Sequence, residues 1–475
     1  MEAVTVLASL ALYAPPPTLS PTLYKPLPLG SYRASGWLLG QLTQQANTLS
    51  GHLNLFWADV QDSVWVGGKS DKSGAGHERG PYWLNGLVPL VAILNASKPT
   101  GLNVHVAKQV DEWIVYILDH QNATTGWLGP DDGFGGKGDD YWSAWNVVAA
   151  LLQYADAKRG TPIAARCMDS VLAHIAEASR RMKTTPLIPG GWSQNRWQDW
   201  VYLCEWTTDM GVTEAQRRML YEASQLAFRQ RWDWQRYYAQ DSTFAHQFPE
   251  KNVPDWSMYD HGVNNAMGLK WGAVAYRLTG DPTYLAEIDK MLAMQDRYQG
   301  QPYGMFSADE VFGGRALNRG IELCAVVEQM YSLEVAFRVG AELPSAVSWL
   351  DRLETLAFNA LPATISADMW QHQYLQQANE ITACVTDPHV WQQDGPDSTL
   401  FGVEPNFGCC TANFNQVRRR PQRLSHCADS PCPSGGFPLV SPLVGSLWCP
   451  LWCPLWCPLW CVQLSATLTG LESPL

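Results

Sequence analysis

Apolar residues recur at three- and four-residue intervals between residues 35 and 362, and almost nowhere in that stretch do they alternate in twos. Leu102, Val106, Val110, Ile114 and Ile117 form one such stripe, with Pro99-Thr100-Gly101 before it and Asn122 after it. That spacing puts the five side chains on one face of a helix, and the flanking Pro, Gly and Asn are helix punctuation. Met267, Trp271, Val274 and Leu278 predict a second helix, ended by Gly280-Asp281-Pro282, and Leu285, Ile288 and Leu292 line its partner. Val326, Met330, Leu333 and Phe337 predict another, closed by Gly340. About eleven such segments joined by short turns leave two architectures, a ring of helical hairpins or a helical solenoid. No repeat of roughly 30 to 45 residues is visible, which disfavours the solenoid. The expected class is all-α, and the expected architecture is an (α/α)6 barrel. Residues 363–408 are polar and rich in Gly and Pro, and predict a long loop over one mouth of that barrel.

Composition narrows the partners. A formal charge of −12 argues against nucleic acid and anionic membrane surfaces, which need a basic face. No apolar run reaches the ~18 residues that span a bilayer. The 23 tryptophans have two readings. They are flat platforms for sugar rings, or they fill the core of a large helical fold. The N-terminus, MEAVTVLASLALYAPPP, is apolar but carries Glu2 where a signal peptide wants positive charge, so residues 1–24 are an extension with at most a weak signal. The sequons at Asn95 and Asn122 matter only in a secreted chain, and the compartment stays open between secreted and cytoplasmic.

The C-terminal end departs from the rest. Of twelve cysteines, six lie past residue 417, and four of those sit in LWCPLWCPLWCPLWC, a perfect four-residue repeat at 447–461. Proline at every fourth position forbids a helix and spoils a strand. Every valine codon begins with the GT that opens introns, and Val417 stands at the change in character. Residues 417–475 are therefore expected to be an aberrant, disordered tail from intron read-through, the alternative being a genuine disordered or metal-binding tail.

The candidate chemistry lies in four stretches. Adjacent Cys409 and Cys410 cannot easily bond to each other, because the ring they close is strained. Glu322 and Cys324 are two residues apart, about 200° around a helix, and can serve one site only where a helix meets a loop, as Gly320 allows. Three thiols and a carboxylate suit a closed tetrahedral zinc site, although no C-x-x-C is present and 84 residues separate Cys324 from Cys409. Asp309 and Glu310, in SADEVFGG, are either a general acid or a solvated acidic turn. His261, at a helix start in MYDHGVNNAMG, is either a cap or a site residue.

Together, YDHGVN, GMFSADE, ELCAVVE and LFGVEPNFGCCTAN resemble the motifs of glycoside hydrolase family 127, the β-L-arabinofuranosidase family. PLPLGSYRASGWLLGQL is similar to that family's N-terminal entry, and the resemblance covers residues 25–416. It implies a six-hairpin (α/α)6 catalytic barrel followed by β-sandwich domains, of which this chain would lack the last helix and the sandwiches. It also implies retaining hydrolysis of terminal β-L-arabinofuranosides by a zinc-bound cysteine, with arabinose-containing glycans as substrates. Carried over motif by motif, Cys409 is the nucleophile and Glu310 the acid/base. Glu322, Cys324, Cys409 and Cys410 hold Zn2+, and Asp260, His261, Arg196, Gln198, Asp199 and Tyr374 meet the sugar. The stretch DDYWSAWNVVAALLQY is more apolar than in some members, which bears on sugar identity. Two alternatives stand beside this reading. One is a truncated, non-catalytic sugar-binding homologue. The other is a glycosidase of the same barrel with another specificity, such as an unsaturated uronyl hydrolase.

Overall fold

The computed structural model describes residues 18–70, 78–97, 104–130, 141–239, 257–391 and 393–416. The tail at 417–475 and the first part of the N-terminal extension lie outside the described residues.

Five long elements are buried nearly all round. They are α1 (Arg79–Ser97), α2 (Trp142–Ala157), α3 (Trp197–Asp209), the broken pair α4 (Gly262–Gly268) and α5 (Trp271–Thr279), and α6 (Leu323–Gly340). A helix that is apolar on every side must sit inside a fold. Each packs against the next, α1 on α2, α2 on α3, α3 on α4 and α5, and these on α6. The short helix α7 (Gly408–Asn413) packs on both α6 and α1 and closes the ring.

The second helices of the hairpins lie outside. Helices at Pro162–Met182, Glu214–Gln230, Thr283–Gln299 and Ala346–Thr355 bury one stripe each, for example Cys167, Val171, His174, Ile175 and Ala178 in the first of these. Their ends carry the expected chemistry. Thr161 caps Ala164 N ahead of Pro162, and Thr213 forms a capping box with Gln216. Gly280 ends α5 in the left-handed conformation, at φ 78°. These pairs form the (α/α)6 barrel expected from the periodicity.

Two details differ from the expectation. The stripe Met267–Trp271–Val274–Leu278 is two helices, because the chain turns at Leu269 and Lys270. The turn carries Lys270 fully inside, where Nζ meets Asp199 Oδ1 at 2.8 Å. The described residues also hold a four-stranded sheet, in which every strand is two residues long. The strands are β1 (Ala308–Asp309), β2 (Val311–Phe312), β3 (Ile321–Glu322) and β4 (Leu375–Gln376), in the order β2-β1-β3-β4. β1 runs parallel to β3, and the other two pairs are antiparallel. Strands this short show no alternation for a sequence pattern to report.

The tryptophans are chiefly core. Trp83, Trp142, Trp145, Trp197, Trp200, Trp234, Trp349 and Trp391 are fully buried. Residues 18–24 are tied to the barrel by backbone bonds from Ser20 to Arg277 and from Leu23 and Tyr24 to Arg338. No helix among the described residues is long and apolar enough to cross a membrane.

Buried histidines make the fold sensitive to acid. His174 is fully buried beside Trp127 and Trp200, and its Nδ1 accepts from Leu128 N. Burial pulls its pKa from 6.5 down to about 3, with the Arg181 charge adding to the effect. Below pH 6.5 the unfolded chain therefore binds a proton that the folded chain refuses, and stability falls as pH drops toward 3. The expected loss approaches about 1.4 kcal/mol per pH unit for one such group. Urea unfolding at pH 7 and pH 5 should show that slope, and His174→Gln should flatten it. An unchanged slope in the variant would contradict the assignment.

Candidate active site

The ring closure brings distant cysteines together. Glu322 ends β3 and is also the N-cap of α6, with extended backbone (φ −67°, ψ 135°), while Cys324 is the second residue of that helix. The two side chains can therefore face one point although they are two residues apart. Cys409 and Cys410 enter from the first turn of α7. The four donor atoms all lie within 4.8 Å of one another. Cys324 Sγ is 3.4 Å from Cys410 Sγ, and Glu322 Oε1 is 3.9 Å from Cys409 Sγ and 3.8 Å from Cys410 Sγ. Glu322 Oε2 is buried without a hydrogen-bond partner. An orphaned carboxylate oxygen beside three thiols is a donor set that fits a tetrahedral zinc ion.

The three thiols are not equivalent. Cys324 and Cys410 are buried, and burial pushes both well above the usual thiol range. Cys409 is half-buried and is pulled well below it. Hydrogen bonds from Cys324 and then Cys410 outweigh its burial, and Tyr374 and the Arg79 charge add to them. Cys409 is thus the sulfur that ionises first, and the thiolate is the nucleophilic form.

Glu310 lies beside this cluster, where ligand atoms of Glu310, Glu322 and His261 are all within 4.8 Å of one another. Its φ of 67° is unusual for a residue with a side chain. The turn is held by Gly262 N donating to Glu310 O at 2.7 Å. Gly262 must be glycine here, since a Cβ would lie 2.2 Å from that of Ala308. The carboxylate then meets His261 Nε2 at 3.0 Å through Oε2 and Tyr374 OH through Oε1. Asp309, next in sequence, turns away. It is fully buried against Arg319, whose Nη2 donates to Oδ1 at 2.7 Å, and burial pushes its pKa up to about 7.

His261 is both a cap and a site residue. Its Nδ1 accepts from Asn264 N, so the ring hydrogen sits on Nε2 and points at Glu310. Tyr374 OH lies between Glu310 and Cys409, 3.5 Å from the sulfur. The Arg196 guanidinium lies over the Trp142 and Trp192 rings at 4.3 and 4.4 Å. Its Nε donates to Asn264 Oδ1 at 2.7 Å. The other three sugar-contact candidates engage protein groups. Asp260 accepts from Tyr237 OH and Ser257, Gln198 bonds Asp199 and Trp234, and Asp199 pairs with Lys270.

Sequence reasoning missed the remaining wall. Glu78 Oε2 accepts from Trp142 Nε1 at 2.6 Å and from Arg196 Nη1 at 3.4 Å. Burial raises its pKa, countered by the Arg196 charge. Arg79 is paired with Asp59 and lies 3.5 Å from Glu404, which in turn accepts from Trp57 Nε1. Asp394 is buried, held by Asn406, within range of the Glu310 charge. The charged pair Glu78-Arg79, just ahead of the apolar run YWLNGLVPLVAIL, was the available signal.

No protein-family model matches the chain, and no curated protein matches it. Solved structures do. The GH127 β-arabinofuranosidase BT3674 superposes with a TM-score of 0.58 at 15% identity, covering 84% of this chain and 62% of that one. The GH127 β-L-arabinofuranosidase Ara127N from Geobacillus stearothermophilus T6 superposes with a TM-score of 0.56 at 13% identity, covering 85% and 65%. This chain thus spans less than two thirds of the length of either structure. The fold assembled from its own helices is the (α/α)6 barrel of these GH127 structures.

Proposed function

We propose that the chain is a retaining glycoside hydrolase that releases terminal β-L-arabinofuranosyl residues from glycans, with Cys409 as nucleophile and Glu310 as acid/base. The observation that carries this reading is the meeting of Cys409, Cys324, Cys410 and Glu322 within 4.8 Å, with Tyr374 joining the same cluster to Glu310. Glu322, Cys324, Cys409 and Cys410 would hold Zn2+, which when bound keeps the thiol deprotonated at neutral pH.

The protein's own groups account for the steps. Cys409 Sγ attacks the anomeric carbon as Glu310 gives its proton to the departing glycosidic oxygen, leaving the sugar joined to sulfur. Water then attacks the same carbon, Glu310 takes its proton, and the sulfur leaves. Two inversions retain the configuration. Tyr374 and His261 hold the two oxygens of Glu310 in place throughout. Asp309, committed to Arg319, is positioned for structure rather than proton transfer.

Metal analysis of the purified full chain should find about one zinc per chain, with less than about half of it retained by Cys324→Ser or Cys410→Ser. The same preparation should hydrolyse an aryl β-L-arabinofuranoside. A folded chain with neither zinc nor turnover would defeat the proposal.

A further inference from the structure

Tyr374 belongs to a segment that touches both halves of the sulfur cluster. Its carbonyl accepts from Leu323 N at 3.0 Å, and Leu323 lies between Glu322 and Cys324. β4 follows directly and pairs with β3, which ends at Glu322. The Glu322–Cys324 half of the cluster is therefore fixed to this segment by backbone bonds. The other half, Cys409 and Cys410, rides on α7, which is six residues long. A helix of under two turns does not hold itself in place, so contacts from outside must set its position.

His372, two residues before Tyr374, supplies such a contact. It is fully buried, and its backbone exchanges two hydrogen bonds with Gly402, at 2.9 and 3.1 Å. Its Nε2 meets Thr411 Oγ1 at 3.0 Å, and that hydroxyl reaches on to Val403 O at 3.0 Å. The ring also stacks on Phe414, just past α7, with centroids 5.8 Å apart. Tyr374 OH meets Cys409 Sγ at 3.5 Å. The segment thus grips α7 at Cys409 and again at Thr411, the residue after Cys410.

Four donors that must converge on one point come from two elements. If α7 rolls or slides against β3 and α6, Cys409 and Cys410 move together relative to Glu322 and Cys324. Groups that orient ligands without touching the ion set much of a site's affinity.

We propose that His372 is a positioning residue. By holding Thr411 it fixes α7 against the segment that carries Tyr374, and so sets Cys409 and Cys410 against Glu322 and Cys324. This rests on the metal-site reading above and names what supports that site.

The test is metal binding by full chains stripped of metal. Each is titrated with cobalt(II), and with zinc against a chromophoric chelator. Wild type should bind about one ion and show the cobalt absorption of a tetrahedral thiolate site. Thr411→Val keeps the shape and removes the hydroxyl, while His372→Phe keeps a ring against Phe414. Each should weaken binding by about 10- to 100-fold, the usual scale for such partners. The double variant should lose no more than the weaker-binding single one, because both substitutions remove the same contact. Thr411→Ser, which restores the hydroxyl, should bind like wild type. His174→Gln, a buried histidine outside this contact, should alter stability yet stay within about 2-fold of wild-type affinity, as distant sites do. Unchanged affinity and cobalt spectrum in folded Thr411→Val or folded His372→Phe would overturn the proposal and leave the metal-site reading standing. An equal loss in His174→Gln would also overturn it, since the effect would then follow stability alone. If His372→Phe does not fold, the comparison of Thr411→Val with Thr411→Ser decides. A wild type that binds neither ion would defeat the metal-site reading, and the proposal with it.

Discussion

Cys409→Ser is expected to lower kcat/KM on an aryl β-L-arabinofuranoside by at least about 10⁴-fold, the scale seen when a covalent nucleophile is removed. The reason lies in the environment the site builds for one sulfur. Cys324, Cys410, Tyr374 and Arg79 all favour its ionised form, and they outweigh the burial that opposes it. A serine hydroxyl at the same place has a far higher pKa and stays protonated. The substitution changes one atom, so the barrel and the remaining ligands should persist. Thermal unfolding near that of wild type, with activity lost, would show that the chemistry and not the fold was removed. Activity within about 10-fold of wild type would exclude Cys409 as nucleophile.

Glu310→Gln is expected to cost about 10²- to 10⁴-fold, and the loss should depend on the leaving group. A nitrophenolate departs without a proton, so its release should suffer least in the first step, whereas a sugar or alkyl leaving group should show the full effect. Glutamine retains the shape that Tyr374 and His261 grip, which makes this a test of the proton rather than of packing. Asp309→Asn is the control. Its partner is Arg319 and none of the sulfur-cluster groups, so its effect should be on stability and should not vary with leaving group. If Asp309→Asn produced the leaving-group dependence instead, the acid/base role would move to Asp309.

The fold was largely readable from spacing. The periodic stripes at residues 106–117 and 326–337 correspond to helices because a buried face repeats at the helical period whatever its neighbours do. The break at Leu269–Lys270 was hidden, because Met267 and Trp271 keep that period across it. At that break a buried lysine reaches Asp199, a tertiary contact with no local mark. The two-residue strands were illegible for want of length.

The site divides in the same way. Glu322 and Cys324 were legible because their spacing requires a helix–loop junction, and the structure places Glu322 at that junction. The adjacency of Cys409 and Cys410 excluded an easy disulfide, but their meeting with Cys324 depends on α7 closing the ring between α6 and α1. Neighbours Asp309 and Glu310 could not be ranked from the residues alone, and the choice of Glu310 came only with the motif resemblance. Their roles separate because Glu310 adopts positive φ and sends its side chain toward His261 and Tyr374. For Glu78 the charged pair Glu78-Arg79 was the one local mark, and its partner Arg196 lies 118 residues away.

The central claim, a sugar carried on sulfur, can be tested directly. The full chain bearing Glu310→Gln, incubated with a nitrophenyl β-L-arabinofuranoside, should accumulate the intermediate, because the first step needs little acid assistance and the second lacks its base. Intact-mass spectrometry followed by peptide mapping should find one added pentosyl group per chain, located on Cys409. Steady turnover with no adduct on Cys409, or an adduct on a carboxylate such as Glu322, would contradict the account.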